Sequence, residues 1–195
     1  MALLILAFTI TFISPWTWRL FKDGNYLALV EIVALTVILF ASLKKPKVML
    51  LALLFIPLSI PTIFSFKPAE LFMLNERRSE YPNALMGKMF ENKITQYFYH
   101  YQTNLFYNLD LNYYFFASHP RERAGYSEFN RLSLWLLPFF LGGLYWQVTH
   151  RKYQLLVYFF SALLIISFFS GDQYSFLLLP FFSLSSALCI KYFSA

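Results

Sequence analysis

Long apolar runs, separated by short charged connections, dominate the chain. A helix rises about 1.5 Å per residue, so about 20 apolar residues cross a bilayer core. Six segments approach that length: 1–18, 26–43, 48–66, 132–148, 153–169 and 174–192. The second carries one acid, Glu31; the third holds Pro57 and Pro61; the fourth holds Pro138 and the pair Gly142, Gly143; the sixth holds Pro180. Prolines are tolerated inside spans where neighbouring helices re-satisfy the freed carbonyls. The pattern therefore predicts an all-α, polytopic transmembrane bundle of about six spans. Three spans fall in 1–66, an external loop in 67–131, and three spans in 132–195.

Within the loop the period changes. Pro82-Asn83 reads as a helix start, and Met86, Phe90, Ile94, Tyr97, Tyr101 and Leu105 then recur every three or four residues. Lys88, Asn92, Gln96, His100 and Asn104 follow on another face. This predicts one amphipathic helix of about 25 residues. Its aromatic stripe suits either the membrane–water interface or packing on other helices. After Asn108 the period breaks into an aromatic run and then a polar cluster, His119-Pro120-Arg121-Glu122-Arg123. Pro120 holds His119 away from helical backbone. Arg121 and Arg123, with His119 beside them, are placed to clamp a phosphate; the same spacing also suits a solvated turn in which Glu122 pairs with its neighbours.

Composition narrows the class. Hydrophobic residues make up 58% and charged residues only 13%, about half of what a soluble surface needs. One cysteine, Cys189, excludes a disulfide framework and a cysteine-based metal site. The net charge of +6 has no basic stripe behind it, so no nucleic-acid partner is expected. Much of the charge sits in two short connections, with Lys44, Lys45 and Lys47 in one and Arg151 and Lys152 in the other. Basic short loops lie on the cytoplasmic side. Both termini are then cytoplasmic, loop 67–131 extracytoplasmic, and the location the cell membrane. Arg19 and Lys22 fall on the wrong side, softened by Asp23. The first apolar run has no basic residue before it and ends in Ser14-Pro15-Trp16, so it reads as an uncleaved span and not a signal peptide. A chain that starts directly in hydrocarbon reads as part of a longer protein.

Asn75-Glu-Arg-Arg78, Pro82-Asn-Ala-Leu-Met-Gly-Lys-Met-Phe-Glu-Asn-Lys93, His119-Pro-Arg-Glu-Arg-Ala-Gly125 and Leu136-Leu-Pro-Phe-Phe-Leu-Gly-Gly-Leu-Tyr145 form a block. With Ser14-Pro15-Trp16, it resembles the C-terminal half of GT-C type membrane glycosyltransferases, the group of protein O-mannosyltransferases and aminoarabinose transferases. The resemblance covers about 75–148 well and 14–66 loosely. It implies transfer of a sugar from a polyprenyl-phosphate carrier to an acceptor on the outer face of the membrane. It also implies phosphate contacts from Arg121, Arg123 and His119, with Arg77 and Arg78 as second choices.

The chain departs from that family in length and span number, and the family's acidic first external loop is not recognisable. No catalytic residue is identified. Asp23 and Glu31, the acids nearest the N-terminal external turn, are the candidates, and Asp172 is a weaker one. No cofactor is read from the residues; a divalent metal follows only if the full transferase site exists. The resemblance implies an incomplete transferase, inactive alone, whose partners are membrane lipid, a polyprenyl-phosphate-linked sugar and a second membrane subunit carrying the missing half. The alternative is a non-catalytic membrane protein that binds lipid carriers or partner subunits. A small transporter is disfavoured, because Glu31 is the one clear ionisable group within a span.

Overall fold

Local signals decide where each helix begins and ends. The computed structural model describes residues 1–59, 68–116, 131–169 and 174–193, and these are helical with no strand among them. Helix α1 spans Ala2–Ile13 and α2 spans Pro15–Lys22, with a 59° bend between them. The first apolar run is thus broken at Ser14. Ser14 is extended (φ −59°, ψ 131°), as a residue before proline must be, and its Oγ accepts from the Trp16 backbone N–H. Pro15 then starts α2, where no N–H partner is needed. Helix α3 spans Tyr26–Ser42 and is capped by Asn25, whose side chain accepts from the Ala28 N–H at 3.2 Å. A 3₁₀ turn, Pro46–Val48, leads into α4, Met49–Ser59.

The second half of the bundle consists of α9 (Leu136–Thr149), α10 (Gln154–Phe169) and a 3₁₀ turn, Ser175–Leu178, continued by α11 (Leu179–Phe193). Helix α11 is the axis. It contacts α9, α1, α3 and α10, and every residue from Leu179 to Cys189 is buried. Its rings Phe181 and Phe182 join Phe140 of α9 and Phe159 of α10 in one aromatic core with centroids 4.5–6.1 Å apart. Such edge and offset pairs add to burial because ring edges and faces carry opposite partial charge.

Small residues let α9 approach α11. A Cβ at Gly143 would overlap the Ser185 carbonyl, so the two backbones touch there. Gln147 spans the same seam, donating from Nε2 to Ser185 Oγ at 3.0 Å and to the Gly143 carbonyl at 3.2 Å. This is the close approach that holds helices together where hydrocarbon gives no hydrophobic drive.

Outward faces stay apolar. Ile5, Phe12, Leu27, Val30, Leu50, Leu54, Phe160 and Leu164 are all exposed. By length and composition, Ser175–Phe193 is long and apolar enough to cross a membrane. Counting each bent pair as one span (α1 with α2, and α9 with α10 across a 114° break) gives up to three. Tyr26–Ser42 and Pro46–Ser59 are shorter apolar helices. The helices thus match the six apolar segments in position, whereas most are too short or too bent to qualify singly. Beyond Ser59 the third segment lies outside the described residues.

Gly143→Ala should lower stability by about 1–3 kcal/mol, because the new methyl meets backbone. Gly142→Ala should cost less, because its methyl meets the rotatable Cys189 Sγ. Thermal unfolding in detergent checks the order; equal midpoints for the two variants would refute the backbone contact.

Candidate functional site: an aromatic cluster around Arg131

The expected long amphipathic helix is two helices. Helix α5 spans Pro68–Ser79, α6 Ala84–Phe90 and α7 Lys93–Leu109. The break at Glu91–Asn92 is a capping box: Asn92 Oδ1 accepts from Thr95 N–H at 3.0 Å while Thr95 Oγ1 accepts from Asn92 N–H at 2.9 Å. A reciprocal cap stabilises a helix start more than continuation through Glu91 would. The aromatic stripe divides with the helices. Met86, Phe90, Ile94 and Tyr97 are exposed. Tyr101 packs on Phe168 of α10 at 4.4 Å, and Leu105 packs against the core. Asn104 Nδ2 donates to the Ser167 carbonyl at 3.3 Å. The exposed half and α10 border an apolar groove of about 540 Å³ whose lining includes Ile94, Tyr97, Phe98, His100 and Phe168.

The loop's return to the bundle is built on Arg131. Helix α8, Leu111–Phe115, is capped by Asp110, whose Oδ1 accepts from Asn112 N–H at 2.8 Å. Its residues Tyr113, Tyr114 and Phe115 are all buried. The Arg131 guanidinium lies over the Tyr113 ring with Cζ 3.4 Å from its centroid, and over Trp16 at 5.6 Å. Arg131 also donates from Nη1 to the Tyr113 carbonyl at 3.3 Å. The Arg131 carbonyl in turn accepts from Ser14 Oγ at 2.8 Å and from the Trp16 N–H at 3.1 Å. Next to it, Leu132 N–H donates to the Tyr114 carbonyl at 2.8 Å. Tyr113 Oη and Ser175 Oγ are 3.0 Å apart, Tyr114 Oη donates to the Asn108 carbonyl at 2.8 Å, and the Tyr114 ring packs on Phe182 at 4.6 Å. One cluster thus ties the α1–α2 bend, the end of the loop and the start of α11. Burial pushes the Tyr114 phenol well above its usual range, so it stays a neutral donor.

The sequence-derived candidates lie in different places. His119, Arg121 and Arg123 are outside the described residues, as is Asp172. Arg78 donates from Nε to the Glu91 carbonyl at 2.5 Å, and from Nη1 to Asn75 Oδ1 at 3.3 Å. That clamps α5 over α6, where Gly87 lies against the Arg78 carbonyl. Arg77 lines a shallow cleft with Glu80, Tyr81 and Glu91. Asp23 pairs with Arg19 at 3.7 Å, and both side chains are exposed. Glu31 is buried between α3 and α4 and faces the Ser59 hydroxyl. Among the described residues, no three His, Cys, Asp or Glu side chains come together. Sequence reasoning missed Arg131, Tyr113 and Tyr114 as a unit. The aromatic run was visible, but nothing local distinguishes Arg131 from the loop's other cations.

No family model, curated protein or solved structure matches this chain.

Arg131→Ala should free the loop end without unfolding the bundle. Loss of a stacked cation is worth about 0.5–2 kcal/mol. Amide exchange at Tyr113–Phe116 should therefore rise several-fold while that of α11 is unchanged. Unaltered exchange in α8 would show that the guanidinium does not hold it.

Proposed function

We propose that this chain is an integral membrane protein that binds a polyprenyl-phosphate-linked sugar on the outer face. In that role it corresponds to the C-terminal part of a GT-C glycosyltransferase. One observation carries the reading. Ser14-Pro15-Trp16 meets Arg131, which lies within the region 75–148 that the resemblance covers, between the stretches 119–125 and 136–145, although Ser14 and Arg131 are 117 positions apart. The N-terminal motif and the end of the region the resemblance covers thus belong to one structural unit.

The surface supports membrane embedding. Exposed side chains on α1, α3, α4 and α10 are large and apolar, and a water-facing surface does not present such contiguous patches. Helix ends support the six-span topology. The start of α1 and the ends of α3, α9 and α11 border one cavity, whereas the Arg131 cluster joins the opposite ends of α1 and α11. In the proposed orientation the cavity end is cytoplasmic and the cluster end is external.

The carrier has two chemical parts. Its isoprenoid tail suits the apolar groove between α7 and α10. Its phosphate suits Arg121, Arg123 and His119, which the chain carries shortly after α8. Transfer would break the bond between the sugar's anomeric carbon and the phosphate oxygen. The leaving phosphate needs nearby positive charge, and the acceptor hydroxyl needs a base. Asp23 is engaged with Arg19, and Glu31 faces Ser59 within the bundle. Those engagements favour a division of labour, in which this chain binds the carrier and a second membrane subunit supplies the base. They equally favour the non-catalytic reading, a membrane protein that binds lipid carriers without transferring sugar.

The test is carrier binding. The full chain in nanodiscs should retain polyprenyl phosphate, read by native mass spectrometry. Arg121→Ala with Arg123→Ala should reduce retention about tenfold, the loss of two charge-assisted contacts. Tyr97→Ser with Phe98→Ser should reduce it without changing the preference for phosphate over free polyprenol. A folded double-arginine variant that binds as well as the parent would defeat the phosphate assignment.

A further inference from the structure

The bundle end opposite Arg131 carries its own cavity, about 290 Å³ in volume. Its walls come from four helices. Leu3 lies on α1, Lys44 just past the end of α3, Trp146 on α9, Leu188 and Lys191 on α11, and Lys152 in the α9–α10 connection. We propose that this cavity is a binding site for the phosphate headgroup of an anionic phospholipid, whose acyl chains continue onto the apolar outer faces of α1 and α3.

Charge is the first argument. Three lysines from three separate parts of the chain line one cavity, and no acid does. The sequence itself contains no Asp or Glu from 32 to 66, from 132 to 171, or from 173 to 195. Among the described residues lining the cavity, no Asp or Glu side chain is there to neutralise the lysines. Instead, the Lys44 Nζ lies over the Phe40 ring at 5.5 Å and the Lys191 Nζ over the Tyr192 ring at 4.9 Å. An ammonium on an aromatic face keeps its outward donors available for an anion.

Backbone geometry is the second. Arg151 takes φ +55°, a left-handed conformation in which a residue other than glycine is uncommon. It closes α9 in a Schellman turn: Lys152 N–H donates to the Gln147 carbonyl at 2.8 Å, and Arg151 N–H to the Val148 carbonyl at 3.2 Å. That turn brings Lys152 back to the cavity rather than letting the chain run on. Beside it Trp146 is stacked between His150 and Tyr192, with centroids 4.5 Å away on each. A rigid three-ring wall with an amphipathic edge suits headgroup depth.

The inference rests on the membrane reading but not on the carrier reading, since it concerns the other end of the bundle. Its test uses the full chain expressed in membranes. Resistance to alkaline carbonate extraction is measured first; release by carbonate would overturn both the membrane reading and this site. The protein is then purified in detergent with phosphatidylglycerol added, and bound lipid is counted by native mass spectrometry. Phosphatidylglycerol should be retained in preference to phosphatidylcholine. Lys152→Gln with Lys191→Gln should lower that retention about thirtyfold, at about 1 kcal/mol per lost cation. The charge-matched pair Lys45→Gln with Lys47→Gln, which lies near the same end without lining the cavity, should leave it within twofold. Equal losses in the two pairs would mean diffuse surface attraction and would overturn the site. Inorganic phosphate at millimolar concentration should not displace the lipid. Displacement would identify a soluble anion as the occupant and would overturn the lipid assignment. Polyprenyl phosphate retention, read on the same variants, should be unaffected.

Discussion

At Gly143 two helix backbones touch with no side chain between them, and the rest of the bundle is arranged around that contact. The Ser185 carbonyl of α11 occupies the space a Cβ would need. With α9 drawn that close, Phe140 reaches the Phe181 and Phe182 rings, and Gln147 reaches Ser185. Helix α11 becomes buried on all sides from Leu179 to Cys189. A helix so enclosed can present its two ends only to cavities and connections, and both ends are used. Its start meets Tyr113 through Ser175, and its end carries Lys191 and Tyr192 into the basic cavity. The polar side chains along α11 follow the same constraint. Ser183 Oγ accepts from Thr11 Oγ1 at 2.9 Å, and Ser186 Oγ donates to the Phe182 carbonyl at 2.9 Å. Small hydroxyls satisfy themselves or a neighbour without forcing helices apart, as a buried polar group must.

The loop is anchored by different chemistry. Arg131 uses both faces of its peptide and its side chain at once: its carbonyl receives Ser14 and Trp16, and its guanidinium covers Tyr113. A flat guanidinium lays its whole plane on a ring and still donates in that plane from a fixed fork, whereas a lysine offers only a point charge on a flexible stem. The position needs that property, because the contact must hold a helix bend, a loop end and a buried tyrosine in one place. The same cluster explains the bend at Ser14. A straight helix would carry Trp16 past Arg131; the turn into α2 delivers its N–H and its ring to the loop instead.

What the sequence disclosed follows from the range of each interaction. Apolar runs disclosed where helices exist, because burial and lipid contact act on whole segments; residues 26–43 became Tyr26–Ser42 and 153–169 became Gln154–Phe169. The pair Gly142, Gly143 was visible in the fourth segment, but its partner Ser185 was unknowable from periodicity. The break in the loop helix had a local signal, Asn92 three residues before Thr95, which the continuous aromatic stripe outweighed in reading. Arg131 had no local signal, since its significance comes from Tyr113, eighteen positions away, and from Ser14 and Trp16, more than a hundred away. Lys44 and Lys152 were read as markers of orientation, and only the fold makes them neighbours, with Lys191, of one cavity. The phosphate-clamp candidates, by contrast, lie outside the described residues, so the sequence remains their entire support.

The two ends of the bundle differ in how they handle charge, and that difference bears on what each can bind. At the loop end, cations are spent internally: Arg131 on Tyr113, Arg78 on the Glu91 carbonyl, Arg19 on Asp23. Carboxylates accompany them, as with Glu80 and Glu91 beside Arg77. An anion arriving there competes with groups already in place, so a phosphate site at that end needs cations not yet committed, and the chain supplies Arg121 and Arg123 in its loop. At the other end the sequence offers no acid near the lysines, and their neighbours are rings. Unneutralised charge beside a low-dielectric bundle is costly unless an anion compensates it. In a membrane the nearest supply of anions is the lipid headgroup layer, where each nearby lysine gains about 1 kcal/mol.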